Sequence, residues 1–176
     1  RYYDRILIYG VQAVLDAAQA YALPQRVAAK VRYCGYVTAN RKPQRPRAAV
    51  LKELLANGRL VVATVGGGGD GLPLLKTFLR ALPWVPDVTA LVVTGELMPP
   101  ADRHTLVSML NGNRRVVIRD SVQDLPSYLG AADLVVAMGG YNTTAEILAL
   151  GAKAIIVPRT WKSGEQANRT QAKPDT

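Results

Sequence analysis

The residues best suited to chemistry lie near the C-terminal end, in the block Ala131-Ala132-Asp133-Leu134-Val135-Val136-Ala137-Met138-Gly139-Gly140-Tyr141-Asn142-Thr143-Thr144-Ala145-Glu146. An apolar strand runs into a glycine turn and then into a helix whose first turns carry Thr143, Thr144 and Glu146. A helix start leaves backbone N–H groups without intrahelical partners, which suits an anion. A carboxylate one turn further on accepts hydrogen bonds from sugar hydroxyls. Together these are the parts of a grip on a sugar nucleotide. A structural alternative fits the same letters: Thr143-x-x-Glu146 is a capping box, in which Glu146 merely satisfies the helix's own amides.

A second glycine cluster, Gly66-Gly67-Gly68-Gly69-Asp70-Gly71, follows an apolar run and opens another helical pattern. Glycine permits positive φ and a close approach of backbone to phosphate. Asp70 is the expected N-cap, with Pro73 accommodated in the first turn. Four consecutive glycines exceed what a tight turn needs and point to a loop facing a diphosphate. A Walker A loop is excluded, because Leu72 and Pro73 stand where Lys and Ser or Thr are required. Gly66, Gly68 and Gly71 also match the dinucleotide spacing, with Glu96 placed after the next strand as a ribose-binding acid.

A third polar cluster, Gly164-Glu165-Gln166-Ala167-Asn168-Arg169, offers Gln166 and Asn168 to sugar hydroxyls, or simply starts a helix. There is no Asp-x-Asp pair to hold a divalent metal. Helix N-termini and backbone amides would then have to neutralise the diphosphate.

These residues need a scaffold, and the hydrophobic rhythm predicts one. Strands are expected over 6–9, 31–37, 60–65, 89–94, 115–118, 134–137 and 154–157. Helices are expected over 11–21, 47–57, 72–82, 102–110, 125–129 and 143–150. Apolar strands alternating with helices imply an α/β fold, a Rossmann-like parallel sheet with helices on both faces. Ligands of such sheets sit beyond the carboxyl ends of the strands, where the glycine clusters fall. Residues 1–30 read as the tail of a preceding domain and residues 31–176 as the main, nucleotide-sugar-binding one.

The chain has 176 residues, enough for one packed domain and short for two. No apolar run approaches the roughly 20 residues that span a bilayer, and a cytoplasmic location is expected. The chain begins at Arg1 without Met or a signal-peptide pattern, so a longer parent protein is expected. Cys34 and His104 are the only residues of their types, which excludes an internal disulfide and a Cys- or His-based metal cluster. The net charge is +9, with eight Lys or Arg and no acid between Arg26 and Lys52. The first reading of that segment is a solvated, Pro-stiffened loop. A peripheral contact with an anionic membrane, at its inner face, comes second. Nucleic acid comes last, for want of interleaved aromatics, and is not expected as a partner.

In order and spacing, these pieces resemble the nucleotide-binding, C-terminal half of two-domain (GT-B) glycosyltransferases. They are most similar to the family of UDP-N-acetylglucosamine-dependent transferases of peptidoglycan lipid-intermediate synthesis and its bacterial relatives. The likeness runs from about Val31 to Arg169 and is most specific over Ala131–Glu146, then at Val157-Pro158 and Glu165-Gln166-Ala167-Asn168. It implies that Gly67, Gly68, Gly69 and Gly71 lie by the diphosphate and that the backbone near Val122 meets the base, with uracil expected. It also implies that Gly140 and Thr143 lie by the phosphates, that Glu146 binds the ribose, and that Gln166 reaches the donor sugar. Such families often carry Ser or Thr where Gly69 stands. Their acceptor site and catalytic base belong to an N-terminal domain almost wholly missing here, and the chain stops before the helices that return to it. The fragment is therefore expected to bind a UDP-sugar as substrate, without cofactor or metal, and to be inactive alone. A sugar-nucleotide epimerase, an NAD-type module and a ligand-free interaction domain are the alternatives.

Overall fold

Val- and Leu-rich segments with two-residue periodicity build the centre of the structure. A computed structural model describes residues 3–38 and 42–158. Five parallel strands, β3 (Arg59–Thr64), β4 (Val88–Val93), β5 (Val116–Arg119), β6 (Leu134–Met138) and β7 (Ala154–Val157), form one sheet in the order β5-β4-β3-β6-β7. Both faces of the central strands are apolar because both are covered. Leu60, Val62, Leu91, Val93, Val135 and Ala137 point into one core with residues of helices α3 (Arg47–Glu53), α6 (Leu125–Ala131) and α7 (Tyr141–Leu150). The alternate residues Ala63, Val65, Ala90, Val92 and Val136 enter a second core with α4 (Leu72–Ala81) and α5 (Pro100–Met109). This is the expected parallel sheet with helices on both faces.

The strand order contains one reversal. From β3 the chain moves outward through β4 to β5, then crosses back to place β6 on the other flank of β3. The carboxyl ends of β3 and β6 thus bound the topological switch point, where open α/β sheets bind ligands. The loop at Gly66–Gly71 and the turn at Gly139–Gly140 are the direct continuations of these two strands.

Ahead of α3 the chain forms a second, two-stranded sheet. Strand β1 (Ile6–Ile8) pairs in parallel with β2 (Val31–Tyr33), joined through α1 (Ala17–Ala20) and α2 (Gln25–Ala28). Val31–Tyr33, placed at the head of the main domain by its sequence, is hydrogen-bonded to β1 and not to the five-stranded sheet. The helix expected over 11–21 is reduced to its last turn. Asp16 caps it, accepting the Gln19 amide at 3.1 Å, and the Tyr33 hydroxyl takes the Ala17 amide at 2.8 Å. A cap in mid-pattern starts the helix there. Helix α3 also stops short of 57, because Leu55 turns to φ +51°.

The basic segment is not simply solvated. Arg47 forms a two-pronged bond to Asp133 (3.1 and 2.8 Å), which also accepts the Leu60 amide at 2.7 Å. These contacts hold the Asp133 carboxyl below its ordinary range, the Arg47 bond being the main cause. Arg45 pairs with Glu53, which also binds Arg119 at 2.6 Å and the Tyr128 hydroxyl at 2.9 Å. Burial alone would raise the Glu53 pKa; the bonds from Arg119, Arg45 and Tyr128 outweigh it and bring it to about 2. Both guanidinium groups also lie over the Tyr128 ring, at 5.4 and 5.9 Å from its centroid.

Candidate functional site

The first wall of the site is the loop between β3 and α4. Gly66 and Gly68 adopt φ of +65° and +94°. Helix α4 is capped by Gly71, not by Asp70 as the sequence suggested, so the cap residue itself offers its leading amides no side chain. The glycine content has a partly internal cause. A Cβ on Gly71 would stand 2.3 Å from Val65 Cγ2, and Gly68 is similarly pressed against β4. The protein's own packing therefore requires glycine at these two positions. Gly69 differs, with nothing within 4 Å of its virtual Cβ.

The second wall is the head of α7. Gly140 is its N-cap in extended conformation (φ −67°, ψ 144°), again without a side-chain acceptor, and the Thr144 amide makes the first helical bond, to Gly140 O at 3.0 Å. Thr143 is thus the third helical residue and not the cap, so the capping-box geometry is absent. Thr143 and Thr144 are buried and Glu146 is half-buried. The Thr144 hydroxyl has no partner among the described residues.

Between the ends of β3, β4 and β5 lies a cleft of about 470 Å³, lined by Gly66, Gly67, Glu96, Asp120, Val122 and Leu125, among others. That size suits one small-molecule moiety. Gly67 and Val122, singled out separately in the sequence, meet in this cleft. Gly140, Thr143 and Glu146 stand across the switch point on α7. Gln166 lies outside the described residues. Sequence reasoning missed Asp120 and its partner: Arg103 bonds the Asp120 carboxylate at 2.7 Å, fixing one rim of the cleft. Only the tertiary fold brings α5 to the end of β5, so no local signal announced the pair.

Glu96 also opens onto the cleft, one strand over from the glycine loop, where a dinucleotide site would want it. A second cavity, of about 430 Å³, lies in the β1–β2 unit among Ile8, Tyr9, Val14, Tyr21 and Leu23. Among the described residues that line it there is no cation and no helix start of useful length for a phosphate.

The reversed parallel sheet, with two glycine-capped helix starts flanking its switch point, defines an α/β nucleotide-binding domain of the kind that forms the C-terminal half of GT-B glycosyltransferases. Residues 62–172, well over half of the chain, match the glycosyltransferase family 28 C-terminal domain. The chain belongs to that family. It is 28% identical, over 98% of its length, to the UDP-N-acetylglucosamine--N-acetylmuramyl-(pentapeptide) pyrophosphoryl-undecaprenol N-acetylglucosamine transferase of Halalkalibacterium halodurans, of which it spans 46%. The enzyme of the same name from Bacillus licheniformis is 31% identical over 59% of the chain and 29% of the relative. An uncharacterized glycosyltransferase of Methanosarcina acetivorans is 28% identical over 61% of the chain and 27% of its own length. Among solved structures, the glycotransferase of kitacinnamycin superposes with a TM-score of 0.58 over 94% of this chain and 39% of the other, at 17% identity. The chain thus spans less than half the length of these relatives.

Proposed function

We propose that this chain is the donor-binding half of a glycosyltransferase that takes its sugar from a UDP-sugar. One observation carries the reading: two ten-residue helices, α4 and α7, start at glycine caps on either side of one switch point, and neither cap has a side chain of its own to bond the leading amides. Such amides, with the helix dipoles behind them, favour a diphosphate without a metal bridge. In the reaction an acceptor hydroxyl attacks the anomeric carbon, the bond from that carbon to the diphosphate oxygen breaks, and UDP leaves with the electron pair. The first-turn amides near Gly71 and Gly140 would stabilise that leaving charge most as it develops. The hydroxyl proton goes to a base outside this chain, so the chain alone binds donor and transfers nothing.

The backbone at Val122 would face the base, Glu146 the ribose, and Gln166 the transferred sugar. The names of the Halalkalibacterium and Bacillus relatives carry a pyrophosphoryl-undecaprenol; an acceptor of that lipid kind would bring the whole enzyme to a membrane surface as a peripheral protein. Among the described residues no helix is long and apolar enough to cross one.

Calorimetry with UDP, GDP, dTDP and NAD, run with and without magnesium, tests the reading. Selective, metal-independent binding of UDP is expected. NAD binding without UDP binding would instead assign the site to Gly66–Gly71 and Glu96.

A further inference from the structure

Tyr141 is the first residue of α7, the helix whose leading amides are offered to the diphosphate, yet its side chain is engaged elsewhere. Its ring stacks on Tyr36 with centroids 6.3 Å apart and planes inclined by 26°, and it meets Tyr9 at the same separation and 41°. Its hydroxyl accepts the Val37 amide at 2.7 Å. Tyr9 and Tyr36 both belong to the β1–β2 unit or its edge, and Val37 begins the segment that leaves that unit for α3. One side chain therefore joins the donor-facing turn to the connection between the two parts of the chain.

The backbone amides of a helix's first turn are carried rigidly by its first residues. Gly140, the cap before Tyr141, has no side chain to fix that turn. Backbone bonds from Gly139 to Val157 and from Gly140 to Met138 hold the turn from below, and the seat of the Tyr141 ring adds a side-chain restraint tied to residues 36 and 37. We propose that Tyr141 is a positioning residue that couples occupancy of the α7 N-terminus to the placement of residues 36–38, an inference that rests on the donor reading above. Coupling of this kind is reciprocal: a donor that steadies the first turn steadies the segment at Val37, and loosening that segment weakens donor binding by the same factor. The connection between the two units thereby registers whether the donor is bound.

The test is amide hydrogen exchange at Val37, with and without UDP, in the unmodified chain and in Tyr141→Phe, with calorimetry on both. Phe keeps the ring contacts and removes only the hydroxyl, which accepts the Val37 amide and donates to the Val37 carbonyl at 3.4 Å, so the fold is retained. Expected in the unmodified chain is a UDP-dependent slowing of Val37 exchange by about fivefold, the low end of couplings between sites. In Tyr141→Phe that slowing vanishes, and UDP affinity falls by a similar factor. UDP binding with no change at Val37, or equal slowing in both proteins, overturns the coupling and leaves the donor reading intact. A Tyr141→Phe chain that melts earlier yet keeps its UDP-dependent slowing reduces Tyr141 to a structural contact. No UDP binding by the unmodified chain sinks the donor reading, and the coupling with it.

Discussion

Gly68 packs against the backbone of Thr94 so closely that a Cβ there would stand 2.1 Å from the Thr94 carbonyl oxygen. The contact ties the loop after β3 to the end of β4, and Gly68 holds φ +94° to make it. Gly68→Ala would force a backbone shift as well as an unfavourable dihedral. A loss of about 2–4 kcal/mol is expected, from overpacking and left-handed strain combined. Thermal unfolding of the variant checks this; an unchanged Tm would show that the loop is not held against β4.

Gly69 is the opposite case. It has open space at its Cβ and no positive φ, and related families often place a hydroxyl there. Gly69→Ser should leave Tm nearly unchanged and raise UDP affinity about fivefold. That gain is about 1 kcal/mol, the net value of one ordinary added hydrogen bond. Calorimetry decides: unchanged affinity would place the diphosphate away from Gly69.

Glu53 links α3 to β5 through Arg119 and to α6 through Tyr128. Its carboxyl titrates at about 2 in the fold, below the ordinary 4.5. A depressed folded pKa contributes stability that is complete above the unfolded value and is lost as pH falls from about 4.5 towards 2. Tm should therefore drop across that window. Glu53→Gln should lower Tm at neutral pH and flatten the acid decline. A variant that keeps the full decline would shift its cause to other carboxylates such as Asp133.

The sheet was legible because its strands present two apolar faces, a pattern that Leu60–Ala63 and Leu91–Val93 display without interruption. The glycine turns were equally visible, since Gly66–Gly71 and Gly139–Gly140 directly continue strands. What escaped were features made by partners distant in sequence. Asp16 truncates α1 with help from Tyr33, and Arg45 and Arg47 are claimed by Glu53 and Asp133. The glycine cluster has a second cause that its letters do not show. It reads as a loop facing a diphosphate, and within it Gly68 and Gly71 also answer to Thr94 and Val65. Tyr141 was passed over because a tyrosine at a helix start has no chemistry of its own in a sequence; its three neighbours give it one.

Glu146 offers the most direct test of the donor site. As a capping residue it would need Thr143 at the N-cap, but α7 begins two residues earlier, at Tyr141, with Gly140 as its cap. The carboxylate lies a turn and a half into the helix, half-buried, on the element that faces β3 across the switch point. If it accepts the ribose hydroxyls, Glu146→Ala should cost UDP binding at least about tenfold, or roughly 1.5–3 kcal/mol for hydrogen bonds to a charged group. Glu146→Gln, which keeps one acceptor, should fall between. A substrate variant sharpens the test. The unmodified chain should bind 2′-deoxy-UDP more weakly than UDP, and Glu146→Ala should bind the two alike. A Glu146→Ala protein that melts earlier but still distinguishes the two nucleotides would assign the carboxylate to the fold and leave the ribose to another residue.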